Sequence, residues 1–236
     1  MSADAGVRAF IAALRRRVPL RRAPAALPDD VASMVREIRP DANLIQVFRA
    51  AGAANGTDVR VTDAAGWLDS VCDVLSSWRA QTVVIGCAGR GPLSAGRFTE
   101  LEQRLHAAQL RVSRATDDET LFGADAAVTD SEAAIAETGT IVWRSGPGAA
   151  RGATLIPPAH IAVVPASQIQ PDLVDYFAAL ECESRKSAGA SSADGSQAAA
   201  NINLLTGPSK TADIEGTLVT GVHGPGRVCV VLLSDV

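Results

Sequence analysis

The chain has 236 residues, enough for one large domain or for a domain with an N-terminal appendage. Hydrophobic residues make up 47% and charged residues 20%, a globular balance that argues against intrinsic disorder. The formal net charge of −4 and the 4% aromatic content argue against a nucleic-acid partner, which would want a basic face and stacking platforms.

Taken in order, residues 6–18 read as a short helix ending in Arg15, Arg16 and Arg17, and Pro19 to Pro28 reads as a linker. The expected organisation is residues 1–28 as helix and linker and 29–236 as one α/β domain. Val31 to Arg39 reads as helical up to Pro40. Leu44 to Phe48 reads as a strand and Gly52 to Thr57 as a turn-rich loop. Asp63 to Trp78 has a capping Asp63 and apolar residues Trp67, Val71, Val74, Leu75 and Trp78 at helical spacing. Thr82 to Cys87 is a buried strand, Arg97 to Leu110 an amphipathic helix, Val112 the start of a strand and Asp117 to Leu121 a short helix. Such alternation predicts a three-layer α/β fold, an open, mostly parallel sheet with helices on both faces. CAGRGPL, after the Thr82 strand, does not set its glycines in dinucleotide-fingerprint register and reads as a turn.

From Ala126 the pattern turns β-rich. Short strands are expected at Ala126–Thr129, Ile135–Ala136, Thr140–Trp143, Ala153–Ile156 and Ile161–Val164, then a helix from Ile169 to Leu180. Glu181 to Ala200 is rich in Ser, Ala and Gly and reads as a loop. Ile202, Leu204 and Leu205 enter, and Val228 to Leu233 leave, the polar stretch NINLLTGPSKTADIEGTLVTGVHGP. That stretch concentrates the chain's polar chemistry between two buried strands.

Cys72, Cys87, Cys182 and Cys229 form no C-x-x-C pair, which argues against a zinc or iron–sulfur site and reads as free thiols in a reducing cytoplasm. No apolar run approaches the ~20 residues of a membrane span, and no secretory h-region is evident. A cytoplasmic location, no metal and no cofactor held by the chain itself are therefore expected.

GPSKT lacks the spacing of a phosphate-binding nucleotide loop. If Gly207, Ser209 and Lys210 open a helix, their N–H groups and the Lys210 ammonium would form a pocket for a carboxylate or phosphate. The alternative is a helix cap at Ser209 or Thr211 with a solvated lysine. Asp213 and Glu215 read either as general acid or base or as carboxylates favoured by a helix dipole. Glu137, in AETGT, sits between apolar residues and a Gly turn. Partial desolvation would raise its pKa, a habit of catalytic carboxylates; the alternative is bonding to backbone N–H groups. His223 is held between glycines on a tight turn, and His160 follows two prolines. With no dinucleotide fingerprint and no cysteine cluster, the sequence supplies no group of its own to accept electrons.

The segments AIAETGTIV, PPAHIAVVPASQI and GPSKTADIE followed by GVHGP resemble, in that order, LUD-domain proteins, which are named for lactate utilisation. The resemblance covers roughly the C-terminal half. It implies a fold like that of the sugar-phosphate isomerases and CoA transferases. It also implies a role as accessory component of a bacterial L-lactate to pyruvate oxidation system, beside cysteine-rich iron–sulfur partners. The motif positions carried over are Glu137, Thr138, Gly139, Thr140, Gly207, Pro208, Ser209, Lys210, Thr211, Asp213, Glu215, His223, Gly224 and Pro225. Glu137, His223 and Asp213 are the expected catalytic groups, and the others the expected ligand contacts. The alternative function is a self-sufficient enzyme or binding protein for a small carboxylated or phosphorylated molecule. The expected spatial arrangement brings Glu137 and the Lys210–His223 region to one mouth of the sheet.

Overall fold

The computed structural model describes residues 36–86, 95–114, 117–145, 151–189, 201–212 and 218–234, with a few positions between 6 and 13, which are helical. The chain divides into two units, Met1–Arg36 and Glu37–Val236. The expected boundary at 28, the linker before it and the CAGRGPL turn lie outside the described residues. Residues 36–39 are not helical, so the expected helix ending at Arg39 is not present over its described part.

The elements of the larger unit run α1 Leu44–Asn55, β1 Asp58–Thr62, α2 Trp67–Ser77, β2 Thr82–Gly86, α3 Ala95–Ala107, β3 Arg111–Arg114, α4 Asp118–Phe122 and β4 Ala126–Asp130. They continue as β5 Ala133–Ile135, β6 Thr140–Ser145, β7 Ala159–Pro165, β8 Ile169–Gln170, α5 Leu173–Gly189, β9 Asn201–Leu205, β10 Lys210–Ala212, β11 Leu218–Thr220 and β12 Arg227–Leu233. Six strands form a wholly parallel sheet in the order β1-β12-β7-β4-β2-β3. Helices lie on both faces, as the alternating pattern predicts. On one face, Trp67, Val71, Val74 and Leu75 of α2 and Phe98, Leu101 and Leu105 of α3 pack on Val83, Ile85, Val128, Ile161, Val163 and Val231. Burial of each such side chain stabilises the fold by about 1.5–3 kcal/mol.

The opposite face is covered differently. Phe48 of α1 packs there with Ala162, Val164, Val230 and Leu232. Beside it lies a second sheet, β8-β5-β6-β9, which contributes Ala134 and Ile141 to the same cluster. The outer face of that sheet, through Ala133, Ile135 and Val142, is covered by Tyr176, Leu173 and Leu180 of α5. Tyr176 donates its hydroxyl to Glu132 at 3.1 Å, and Arg144 of β6 pairs with Glu132, fastening the helix to the sheet. Sequence periodicity finds β6, β9 and one residue of β5, but it reads β8 as the start of a helix and does not show that the four form a separate sheet.

Three local expectations are corrected. Leu44–Phe48 is not a strand and 52–57 is not mainly loop; both belong largely to α1. Asn43 caps it by accepting from the Gln46 N–H at 3.2 Å, and Gly56, at φ 91°, ends it. Ala153–Ile156 is not a strand but the end of a 3-10 turn, Arg151–Thr154, and the residues following it. The helix after Ile169 begins at Leu173, once Ile169 and Gln170 have paired with β5, and runs on through Gly189, into the stretch expected to be loop.

Candidate functional site

Two backbone turns approach the carboxyl end of α1. The first is 136–139, between β5 and β6. Its entry is pinned by Ala136 N–H to Gln170 O at 2.8 Å and Glu137 N–H to Pro171 O at 3.0 Å. Gly139 has φ +63°, and a Cβ there would lie 2.5 Å from the Gly52 nitrogen of α1. Only glycine fits both that backbone conformation and that approach. The second turn is 206–209, between β9 and β10. Gly207 has φ +74°, and its Cβ would lie 2.9 Å from the Asn55 carbonyl oxygen.

Asn55, the last residue of α1, joins the two turns. Its side-chain N–H donates to the Thr138 carbonyl at 2.8 Å, and its own carbonyl accepts from the Lys210 ammonium at 2.9 Å. Helix-terminal carbonyls lack intrahelical donors and carry the negative end of the dipole, which a lysine complements. A line of hydroxyls runs parallel to this link: Thr138 Oγ1 to Thr140 Oγ1 at 2.7 Å, and Thr140 Oγ1 to Thr206 Oγ1 at 2.6 Å. Thr140 is buried and Thr206 exposed. The GVHGP turn is fixed against the same loop. Ser209 N–H donates to Pro225 O at 2.8 Å, and Gly221 N–H to Ser209 O at 2.9 Å. A Cβ at Gly224 would sit 3.2 Å from that of Ser209.

The structure therefore gathers Thr138, Gly139, Thr140, Gly207, Ser209, Lys210 and Gly224 around the end of α1. Pro208 lies beside Gly56, 3.8 Å from where its Cβ would be. Thr211 sits on β10, paired with Val219. GPSKT opens a strand, not a helix, and the Ser209 N–H is already used by Pro225, so a helix-end anion pocket does not form there. Lys210 still has two further N–H bonds to offer, and it is exposed. Asp213 and Glu215 lie outside the described residues.

Burial pushes the Glu137 carboxyl above the usual carboxylate range, and the negative charges of Asp172 and Glu37 push it further the same way. Asp172 lies in the β8–α5 connection and Glu37 before α1, while the carbonyl of the neighbouring Thr138 is tied to Asn55. His223 is exposed on its turn. His160 is a core residue: 1% exposed, hydrogen-bonded to Thr129 Oγ1 at 2.9 Å, and drawn down by burial to about 4. Asn55, Thr206 and Asp172 were not foreseen from the sequence. Asn55 and Thr206 work through a backbone group or a short hydroxyl and Asp172 through its charge, and no motif marks them.

Among the described residues no three His, Cys, Asp or Glu side chains are grouped to hold a metal, and no helix is long and apolar enough to cross a membrane. Cys72, Cys182 and Cys229 are free thiols; burial pushes that of Cys229 up to about 12.

Comparison with known proteins places this arrangement in context. A crystal structure of a DUF162 family protein from Deinococcus radiodurans superposes with a TM-score of 0.52 at 23% identity, over 80% of this chain and 96% of that one, which shows a shared fold. Lactate utilization protein C of Halalkalibacterium halodurans is 31% identical over 76% of this chain and 74% of its own length. The proteins of the same name in an Exiguobacterium strain and in Bacillus subtilis are each 38% identical, over 50% and 48% of this chain, and the match spans under half of each relative. The LUD domain matches residues 45–233, and the chain belongs to the LUD domain family.

Proposed function

We propose that the chain is an accessory component of bacterial L-lactate utilisation. It works in the cytoplasm beside cysteine-rich iron–sulfur proteins that accept the electrons when lactate becomes pyruvate. The observation that carries this reading is the 31% identity, across 76% of the chain, to a relative named lactate utilization protein C. The sequence adds support: it has no closely spaced cysteines and no dinucleotide fingerprint, so electron transfer falls to partners. In this role the exposed Lys210 ammonium and Thr206 hydroxyl, above the end of α1, are the contacts offered to a small carboxylate.

Deletion of the gene in its native host, followed by growth on L-lactate as sole carbon source, tests the reading. Affinity purification of the tagged chain from lactate-grown cells tests the partners. Unimpaired growth together with no cysteine-rich protein in the eluate would overturn it. The raised Glu137 carboxyl favours a second reading, a self-sufficient enzyme or binding protein for a small acid, with Glu137 holding or moving a proton. Thermal stabilisation of the isolated chain by a small carboxylate or phosphate would support that reading.

A further inference from the structure

A polar cavity opens between the outer face of the second sheet and α5. Val142 of β6 packs under α5, so Arg144, two residues on, points to the same side. Ile169 of β8 packs on the inner side, which turns its neighbour Gln170 outward. Both line the cavity, together with Gln168 just before β8. From α5, Tyr176, Leu180 and Glu183 face them along one helical stripe. The volume is about 240 Å³, below that of drug-sized sites, so only a small molecule fits.

Some of these polar groups are committed to one another and some are not. Glu132, at the cavity's edge, accepts from the Tyr176 hydroxyl at 3.1 Å and, through its other oxygen, from Arg144 Nε. That uses one of the five guanidinium N–H groups. Arg144 Nη2 stands 3.6 Å from the Glu183 carboxylate, an ion pair too long for a hydrogen bond, and the Glu183 side chain is 68% exposed. The carboxamides of Gln168 and Gln170 make no hydrogen bond among the described residues. The cavity thus holds one guanidinium against two carboxylates, Glu132 and Glu183. A simple monoanion meets an excess of negative charge there, whereas a ligand carrying both a carboxylate and an ammonium is matched at each end. We propose that the cavity binds a small aliphatic α-amino acid. Its carboxylate lies on the Nη groups of Arg144, its ammonium on Glu183, and its short side chain against Ala133 and Leu180, with the two glutamine amides closing the remaining polar contacts. The site shares no residue with the lysine–threonine cluster and does not depend on the lactate reading. A chain that proves dispensable for growth on lactate can still bind here.

The test is a titration of the isotopically labelled full chain, followed by the side-chain amides of Gln168 and Gln170 and the methyl groups of Ala133 and Leu180. The probes are L-alanine, L-lactate, propionate and ethylamine, which keep the size and change the charged ends. The expected result is a saturable shift with L-alanine and binding about tenfold weaker, or none, with the other three. Arg144→Gln strips Glu132 of its cation and endangers the fold, so two milder variants carry the test. Glu183→Gln should weaken L-alanine by about fivefold or more and erase its advantage over L-lactate, at an unchanged unfolding midpoint, because Glu183 is exposed. Gln168→Ala should weaken L-alanine without altering the order of the probes. Absence of a saturable shift with L-alanine would overturn the proposal. So would L-lactate or propionate binding as tightly as L-alanine, or an L-alanine affinity unchanged in both variants.

Discussion

His160→Gln should remove a pH dependence of folding that burial of the imidazole creates. His160 is 1% exposed, in the core beneath the second sheet, and its one recorded hydrogen bond is with the Thr129 hydroxyl at 2.9 Å. Burial lowers its pKa from 6.5 to about 4. Between those values the unfolded chain takes up a proton that the folded chain refuses. Stability from this residue is thus complete above pH 6.5 and drains away as pH falls toward 4. The interval corresponds to about 3 kcal/mol, a large share of the total for a domain of this size. Gln keeps a polar atom near the Nε2 position but does not titrate. Urea unfolding of both proteins at steps from about pH 8 to about pH 4.5 gives the comparison. The wild type should lose about 3 kcal/mol more than the variant across that range, whatever constant offset the substitution adds. The other ionisable groups are common to both proteins and cancel in the difference. Two curves that run parallel throughout would refute the assignment of a neutral, desolvated His160.

Glu137→Gln should stabilise the chain at neutral pH, because the folded state holds that carboxyl above its ordinary pKa and so disfavours its charge. The gain should vanish once pH drops below about 4, where the unfolded carboxyl is protonated too, and denaturant melts on either side check it. Gly139→Ala forces a Cβ to 2.5 Å from the Gly52 nitrogen at φ +63°, so a loss of about 2–4 kcal/mol is expected by chemical denaturation. Lys210→Met removes a cation from the end of α1 and should cost about 0.3–1 kcal/mol at low salt, with the difference shrinking as salt is added.

What the sequence made legible follows how each element is stabilised. α2 announces itself through the Asp63 side chain, which accepts from Gly66 N–H at 2.7 Å, and through the buried row Trp67, Val71, Val74 and Leu75. β7 and β12 are central strands, apolar on both faces, and read as unbroken hydrophobic runs. α1 was hidden because Leu44, Ile45, Val47 and Phe48 crowd together like a buried strand. The deciding features are its ends, the Asn43 cap and the left-handed Gly56. β1 was missed altogether: DVRVT is a half-exposed edge strand whose only sheet partner among the described residues is β12. At the candidate site, AETGT was visible as a turn, whereas GPSKT read as the opening or cap of a helix and proves to lead into a strand. That they meet at Asn55 was not, because the joining contacts are to main-chain carbonyls, which every residue type carries.

The threonine line has a property that no single one of its members possesses. Each hydroxyl has one proton to give. Thr140, hemmed in between Thr138 at 2.7 Å and Thr206 at 2.6 Å, must point its proton at one neighbour and take one from the other. The three O–H bonds therefore reverse together or not at all. An acceptor arriving at the exposed Thr206 end selects one sense, and one arriving at the Thr138 end selects the opposite. The sense of the exposed Thr206 hydroxyl is thereby linked to that of Thr138, on the turn that carries Glu137.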